Sequence, residues 1–352
     1  MDPITIALLS GAVGGGGGKL VETLWQATGQ RWLTDYLKDH SEAARDSGNA
    51  NTLEFLSQLS IRIGRLEDEI TDPSEIGKQV LRDPDFLASL KAALLAAARS
   101  PDQLKHDVLA RAVAERMLAT ADSLQALAAN IAVEQTPRLS SHHLQILALA
   151  SVVYVLRPEG LPLPDKHPDG SEAWDVAEDE REILSRYPDW LKTAISFGMP
   201  DAIVSAADYA HLASCGCLVL ERGIERDLFA ILRPYRDRLL SQATVGPCNS
   251  RISDWLYGSD AGFALRQLWD HGMQQVSITP AGLLIGVAVY DFRSGESTSV
   301  DWKSNQLTKA PEVEDLSVWN GHTIREEFLK VLDKEIKNRA ERGVSPWRPL
   351  DR

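Results

Sequence analysis

The chain has 352 residues, 44% of them hydrophobic and 25% charged, so it is long enough for two domains and too apolar for disorder to be the default. A net charge of −13 repels nucleic acid and anionic lipid at long range, which excludes a general polyanion binder. Three cysteines, Cys215, Cys217 and Cys248, are too few for a disulfide scaffold and point to a reducing, cytoplasmic compartment.

The N-terminus reads MDPITIALLSG, with Asp2 where a secretory signal would carry positive charge. Pro3 to Gly18 contain no charged residue. As a helix these residues would cover about 24 Å, short of the hydrocarbon core of roughly 30 Å, so no standing transmembrane helix is expected. The run GAVGGGGGKL tests poorly as a phosphate loop, because Val13 stands where the first fixed glycine belongs and Leu20 where the magnesium-binding hydroxyl belongs. It satisfies GxGxxG only because consecutive glycines satisfy many patterns, and the helical texture that follows lacks a βαβ unit.

After the glycines, Val21, Trp25, Trp32 and Tyr36, widened by Leu24, Leu33 and Leu37, predict an amphipathic helix. Leu56, Leu59, Ile63, Leu66 and Ile70 recur at 3-4 spacing and predict a seam for helix packing or for an oligomer. Asp83–Ser100 predicts a helix rich in Ala and Leu with Pro84 in its first turn. Ser100, Pro101 and Gln103 predict a capping box opening a helix that runs to Glu134, with Leu109, Val113, Met117, Ala121, Leu124, Ala128 and Ile131 as its stripe. Ser140 predicts the cap of a helix apolar on nearly every face, the buried centre of the first domain.

Four prolines between Arg157 and Trp174 mark a linker or long loop, and Asp165 to Asp189 carry a local charge of −6 on an expected solvated surface. Beyond it, helices around Glu180–Phe197 and Pro200–Ser214, a strand at CLVLE, the Pro-interrupted DLFAILRPYRDRLL and a strand at QVSIT followed by an apolar helix predict an α+β, winged-helix-like part. DNA reading is argued against by Pro200–Gly216, which hold no Lys or Arg. Strands near ESTSVDWKS and a C-terminal helix over Thr323–Gly343, with Ile324, Phe328, Val331, Leu332 and Ile336 on one face, complete the chain.

The expected fold is therefore mainly α with a C-terminal α+β part. Residues 1–38 form an apolar glycine-rich segment plus amphipathic helix, 39–157 a helical bundle, 158–174 a linker or loop, 175–293 the winged-helix-like module and 294–352 a tail with strand and helix. His211, Cys215 and Cys217 fall short of a four-ligand zinc set, and the C-G-C step reads as a helix ended at Gly216 with small buried thiols. His142 and His143 point about 100° apart on a helix and read as capping or surface residues. No catalytic residue, cofactor or metal is expected.

DAIVSAADYAHLASCGCLVLERG, followed later by QVSITPAGLLIGVAV with its Thr279-Pro280-Ala281-Gly282 step, resembles the C-terminal region of the Abi-alpha abortive-infection family, and HHLQILALAS is similar to that family's middle helix. The sequence departs from the family after Phe292, where it turns polar and aromatic. The resemblance implies a bacterial phage-defence protein whose activation halts or kills the infected cell, with no family active site to carry over. It gives Ile4, Ile6, Leu8, Leu9, Val13, Leu20, Leu24, Trp25 and Trp32 an implied role as a membrane-active element, sheltered on the body and inserted into the inner membrane when released or oligomerised. The competing expectation is a protein-protein interaction or regulatory module of a defence system, in which the glycines are a hinge.

Overall fold

In the computed structural model, which describes residues 18–67, 80–158, 161, 178–221, 223–234, 242–296, 298–301 and 306–309, the chain is mainly helical. Helix starts are marked by side-chain caps. Asp83 accepts the amides of Asp85 and Phe86 to open α4 (Pro84–Ala98), and Asp102 accepts that of Leu104 to open α5 (Gln103–Leu118). Before these lie α1 (Gly18–Leu24), a π-helical turn at Trp25–Gly29, α2 (Gln30–Leu37) and α3 (Glu42–Glu67).

Two sequence expectations need correction here. The cap of α5 is Asp102, with Ser100 Oγ instead accepting the Asp102 amide. The helix does not continue to Glu134: Ala119–Ser123 break it, Asp122 adopts φ 63°, and Ser123 caps a separate α6 (Leu124–Gln135). Thr120, Asp122 and Ser123 offer the backbone local hydrogen-bonding alternatives, which an apolar stripe does not register.

Ser140 caps α7 (Ser141–Tyr154) as expected, and Leu144 and Ile146–Val153 are buried. α8 (Glu178–Gly198) carries Pro188 internally, and α9 (Ala206–Ser214) is followed by β1 (Leu218–Leu220) and the short α10 (Leu228–Leu232). Two helices not expected from the sequence come next, α11 (Gln242–Gly258) and α12 (Asp260–Asp270); Gly246-Pro247 inside α11 reads as a breaker yet is accommodated. β2 (Val276–Ile278) pairs antiparallel with β1, Leu218 opposite Ile278 and Leu220 opposite Val276. Thr279 then caps α13 (Pro280–Ser294), so a helix follows β2 directly where a wing strand would stand. The expected strands near Ser299 form a hairpin, β3 (Thr298–Asp301) with β4 (Gln306–Lys309).

The core turns on α7 against α13, the most extensive helix pair among the described elements. A Cβ on Gly286 would lie 2.1 Å from Ser151 Oγ and 2.3 Å from the Leu147 carbonyl oxygen, so the two backbones approach as closely as a hydrogen side chain allows. Gly198 brings α8 similarly close to Leu149 of α7. Buried apolar residues from Leu20 to Tyr290 form one cluster, so the expected division at 158–174 does not separate two cores. Most of that segment, and the expected C-terminal helix, lie outside the described residues.

A buried ionic group ties α3, α5 and α13 to β3. Arg111 donates to Asp291 Oδ2 and to the Thr298 carbonyl oxygen, each at 2.5 Å, while Asp291 accepts the Thr298 amide at 3.0 Å and its hydroxyl at 2.6 Å. Arg62 donates to Asp107 at 2.8 Å and stands 3.8 Å from Asp291. Every charge here has a partner, which is the condition for burying it.

Asp291→Ala should destabilise the protein by about 3–5 kcal/mol in urea denaturation, because buried Arg111 loses its direct carboxylate partner and keeps only the Glu115 carboxylate at 3.9 Å; Arg111→Met with Asp291→Leu should recover part of that loss. Gly286→Ala should cost about 1–3 kcal/mol by overpacking. Gly258→Ala, at the end of α11 with nothing within 4 Å of its added Cβ, should leave stability unchanged or raise it by up to about 1 kcal/mol.

Candidate functional site

Of the proposed membrane-active residues that fall in the described part, Leu20, Leu24 and Trp25 are in the protein interior. Leu20, Val21, Leu24 and Trp25 are all buried, seated on α3 and α4 around a narrow apolar gap shared with Leu56, Leu59, Leu90 and Leu94. Trp32 is half-buried, with Lys91 Nζ 5.9 Å from its ring centroid. Ile4, Ile6, Leu8, Leu9 and Val13 lie outside the described residues. Leu56, Leu59 and Ile63 are buried within the same core, so this stretch of the seam packs helices inside one chain. Leu66 lies on α3 without a described side chain, and Ile70 is outside the described residues.

No helix among the described residues is long and apolar enough to cross a membrane. The docking of α1 has a magnitude. Removing four large apolar side chains from the core costs about 1.5–3 kcal/mol each, or about 6–12 kcal/mol together, comparable with the typical stability of a whole domain, about 5–15 kcal/mol.

A second locus emerges only in three dimensions. Two sets of residues separated by some 60 positions in the sequence, His142 and His143 at the start of α7 and Asp208, His211 and Cys215 on and after α9, meet at one place. The start of α7 is joined to the turn before α9 by reciprocal bonds: Gln145 Nε2 donates to Asp201 Oδ2 at 2.5 Å, and the Asp201 amide donates to Gln145 Oε1 at 3.0 Å. His143 Nε2 then lies 3.3 Å from Asp208 Oδ1, His142 Nε2 lies 3.9 Å from Asp208 Oδ2, and the His143 and His211 rings are 4.6 Å apart.

The cap geometry assigns the protons. His143 Nδ1 accepts the Ser140 amide at 3.2 Å, so its single lone pair is used and Nε2 carries the hydrogen toward Asp208. Ser140 Oγ, 3.0 Å from Nδ1, accepts the His143 amide at 3.2 Å. Hydroxyl, imidazole and carboxylate thus lie in line, but Nδ1 has no lone pair left to receive a serine proton. Asp208 Oδ2 accepts both the amide and the hydroxyl of Ser205 at 2.7 Å, at the N-terminus of α9 where a negative charge is favoured. The arrangement is a clasp between two helix starts. Among the described residues no group of three or more His, Cys, Asp or Glu is placed to hold a metal ion.

The sequence reading treated these residues as separate sets, and the only signal for their meeting was that Ser140/His143 and Ser205/Asp208 share a three-residue capping interval. Its reading of the C-G-C step stands. Cys215 ends α9, Gly216 takes φ 69°, and both flanking thiols are free and buried. Burial, with Cys215 nearby, pushes the Cys217 thiol up to about 12, and burial raises Cys248 to about 11, so neither forms a thiolate near neutrality.

Burial, reinforced by His211, lowers the His143 pKa below its ordinary 6.5 against the pull of Asp208. A histidine held neutral in the folded state stabilises fully above pH 6.5, and that contribution falls as pH drops through 6.5 toward the lowered folded value. Thermal melts from pH 7.5 to 5.5 should therefore show a steeper loss of stability in the parent than in His143→Gln.

No curated protein and no solved structure matches the chain. Residues 21–244, which begin within α1 and end within α11, match the model of an uncharacterised protein family. That match covers more than half of the 352 residues, and the chain belongs to this family.

Proposed function

We propose that this protein is a non-enzymatic effector of the abortive-infection type, as its resemblance to the Abi-alpha family implies, and that it acts by contacts with other proteins. The observation that carries the mode of action is the burial of Leu20, Leu24 and Trp25 in the helical core, which makes α1 part of the scaffold. Its departure would remove about 6–12 kcal/mol of apolar burial. The helix–strand–helix–helix–helix–strand order from α9 to β2 supports a winged-helix-like module, enlarged by one helix, in which α13 takes the place of the wing, used here for protein contact. The large apolar residues left exposed on this half, among them Ile203, Val219, Tyr257 and Phe263, supply contact surface.

The second reading, conditional membrane insertion, is favoured by one observation, the unfilled gap beneath Val21, Leu24 and Trp25. On that reading the uncharged Pro3–Gly18 run enters lipid after a trigger strong enough to free α1.

Two measurements test the proposal. Bacteria expressing the full chain should show at least a tenfold reduction in phage plaquing, and plaquing equal to that of cells without the protein would refute the defence role. The purified chain should remain unbound in flotation with phosphatidylethanolamine and phosphatidylglycerol vesicles while Leu24→Asp/Trp25→Asp releases α1; flotation of the parent would overturn the contact mode in favour of insertion.

A further inference from the structure

The corner between α11 and α12 carries two of the most exposed aromatic side chains among the described residues, Tyr257 at 58% and Phe263 at 54%. Between them stands Arg266, its guanidinium carbon 5.1 Å from the Tyr257 ring centroid and 5.5 Å from that of Phe263. Arg266 Nε donates to the Leu256 carbonyl oxygen at 3.1 Å, while its two terminal nitrogens have no partner among the described residues.

This corner is set firmly. A Cβ on Gly262 would lie 2.5 Å from the carbonyl oxygens of both Trp255 and Leu256, so the first turn of α12 sits directly on the end of α11, and Ser259 caps it through the Gly262 amide. Arg266 is consequently tethered at Nε to one helix while standing on the other. Each ring adds a cation–π attraction to that tether. Little side-chain freedom remains to be lost on binding, which is what makes aromatic and arginine side chains effective anchors.

We infer that Tyr257, Phe263 and Arg266 form a docking point for a partner protein segment that carries a single carboxylate among apolar side chains. The inference rests on the contact mode proposed above and names its surface and partner chemistry. With Nε tethered, the guanidinium presents its terminal edge, whose planar fork matches a carboxylate in two parallel hydrogen bonds. The exposed rings on either side cover apolar neighbours of that carboxylate. Charge selects among occupants: the chain carries −13 overall, and Asp254, Asp260 and Asp270 are exposed on the same two helices, which disfavours nucleic acid and polyacidic segments. One carboxylate satisfies Arg266, which has no acidic partner among the described residues, without accumulating that repulsion.

A displayed random-peptide library panned on the full chain tests this. Enriched peptides should carry one Asp, Glu or free C-terminal carboxylate beside apolar residues. Their binding should weaken at least tenfold on Arg266→Gln and on Tyr257→Ser/Phe263→Ser. Arg251→Gln, which removes a cation already paired with Asp189, should leave it unchanged. Arg266→Lys, which keeps the charge without the fork, should also bind several-fold less well than the parent, with the helical content by circular dichroism retained. Peptides without a carboxylate, indifference to Arg266→Gln, or tighter binding of inorganic phosphate or a single-stranded oligonucleotide would each overturn the inference. Reduced plaquing with no peptide bound would sink this surface and leave the functional reading standing; peptide binding with unaltered plaquing would do the reverse.

Discussion

The close approach of α7 and α13 is the constraint on which the rest of the architecture depends. At Gly286 the backbone of one helix lies against Ser151 Oγ and the Leu147 carbonyl oxygen of the other, and no larger residue fits without displacing backbone. Because α7 is apolar nearly all round, it must be enclosed, and α13 and α8 enclose it at glycine-limited distance. The buried Arg111–Asp291 pair then holds the far end of α13 to α5, so packing sets the separation of α7 and α13 while a paired charge fixes α13 against α5. Leu24 of α1 and Trp25 of the π-helical turn that follows belong to the same core.

Features that depend on local chemistry were legible in the sequence. Ser140 as a cap, Thr279-Pro280 as a helix start, the C-G-C stop before a strand, the apolar character of α7 and the strand near Ser299 all follow from residue type at short range. What was not legible depends on distance or competition. The break at Asp122 is a contest between an apolar stripe and local hydrogen bonds, and α11 hides behind Gly246-Pro247, whose helical cost the surrounding packing offsets. The stacking of Arg266 on Tyr257 and Phe263 needs the α11–α12 corner before it exists at all.

The histidine clasp shows the same limit at a site. Each half looked incomplete because each half is a helix cap, and a cap is satisfied locally. Only the juxtaposition of two helix starts makes Asp208 the acceptor for His143, and the same bond that orients the imidazole uses up its lone pair. His143 and Asp208 are thereby given over to holding α7 against α9, while neither ring nitrogen of His142 has a hydrogen-bond partner among the described residues. Chemistry-bearing residue types are a weak guide when their lone pairs are already committed to backbone.

The α7–α13 contact also has a consequence in time. α7 ends at Tyr154, and the helix that covers it ends at Ser294. At elongation rates of about 5–20 residues per second, a nascent chain carries this apolar helix without its cover for roughly 7–28 s. α8, complete at Gly198, can cover one side of α7 early in that interval, but the face that meets Gly286 stays exposed to the translating cell until α13 emerges.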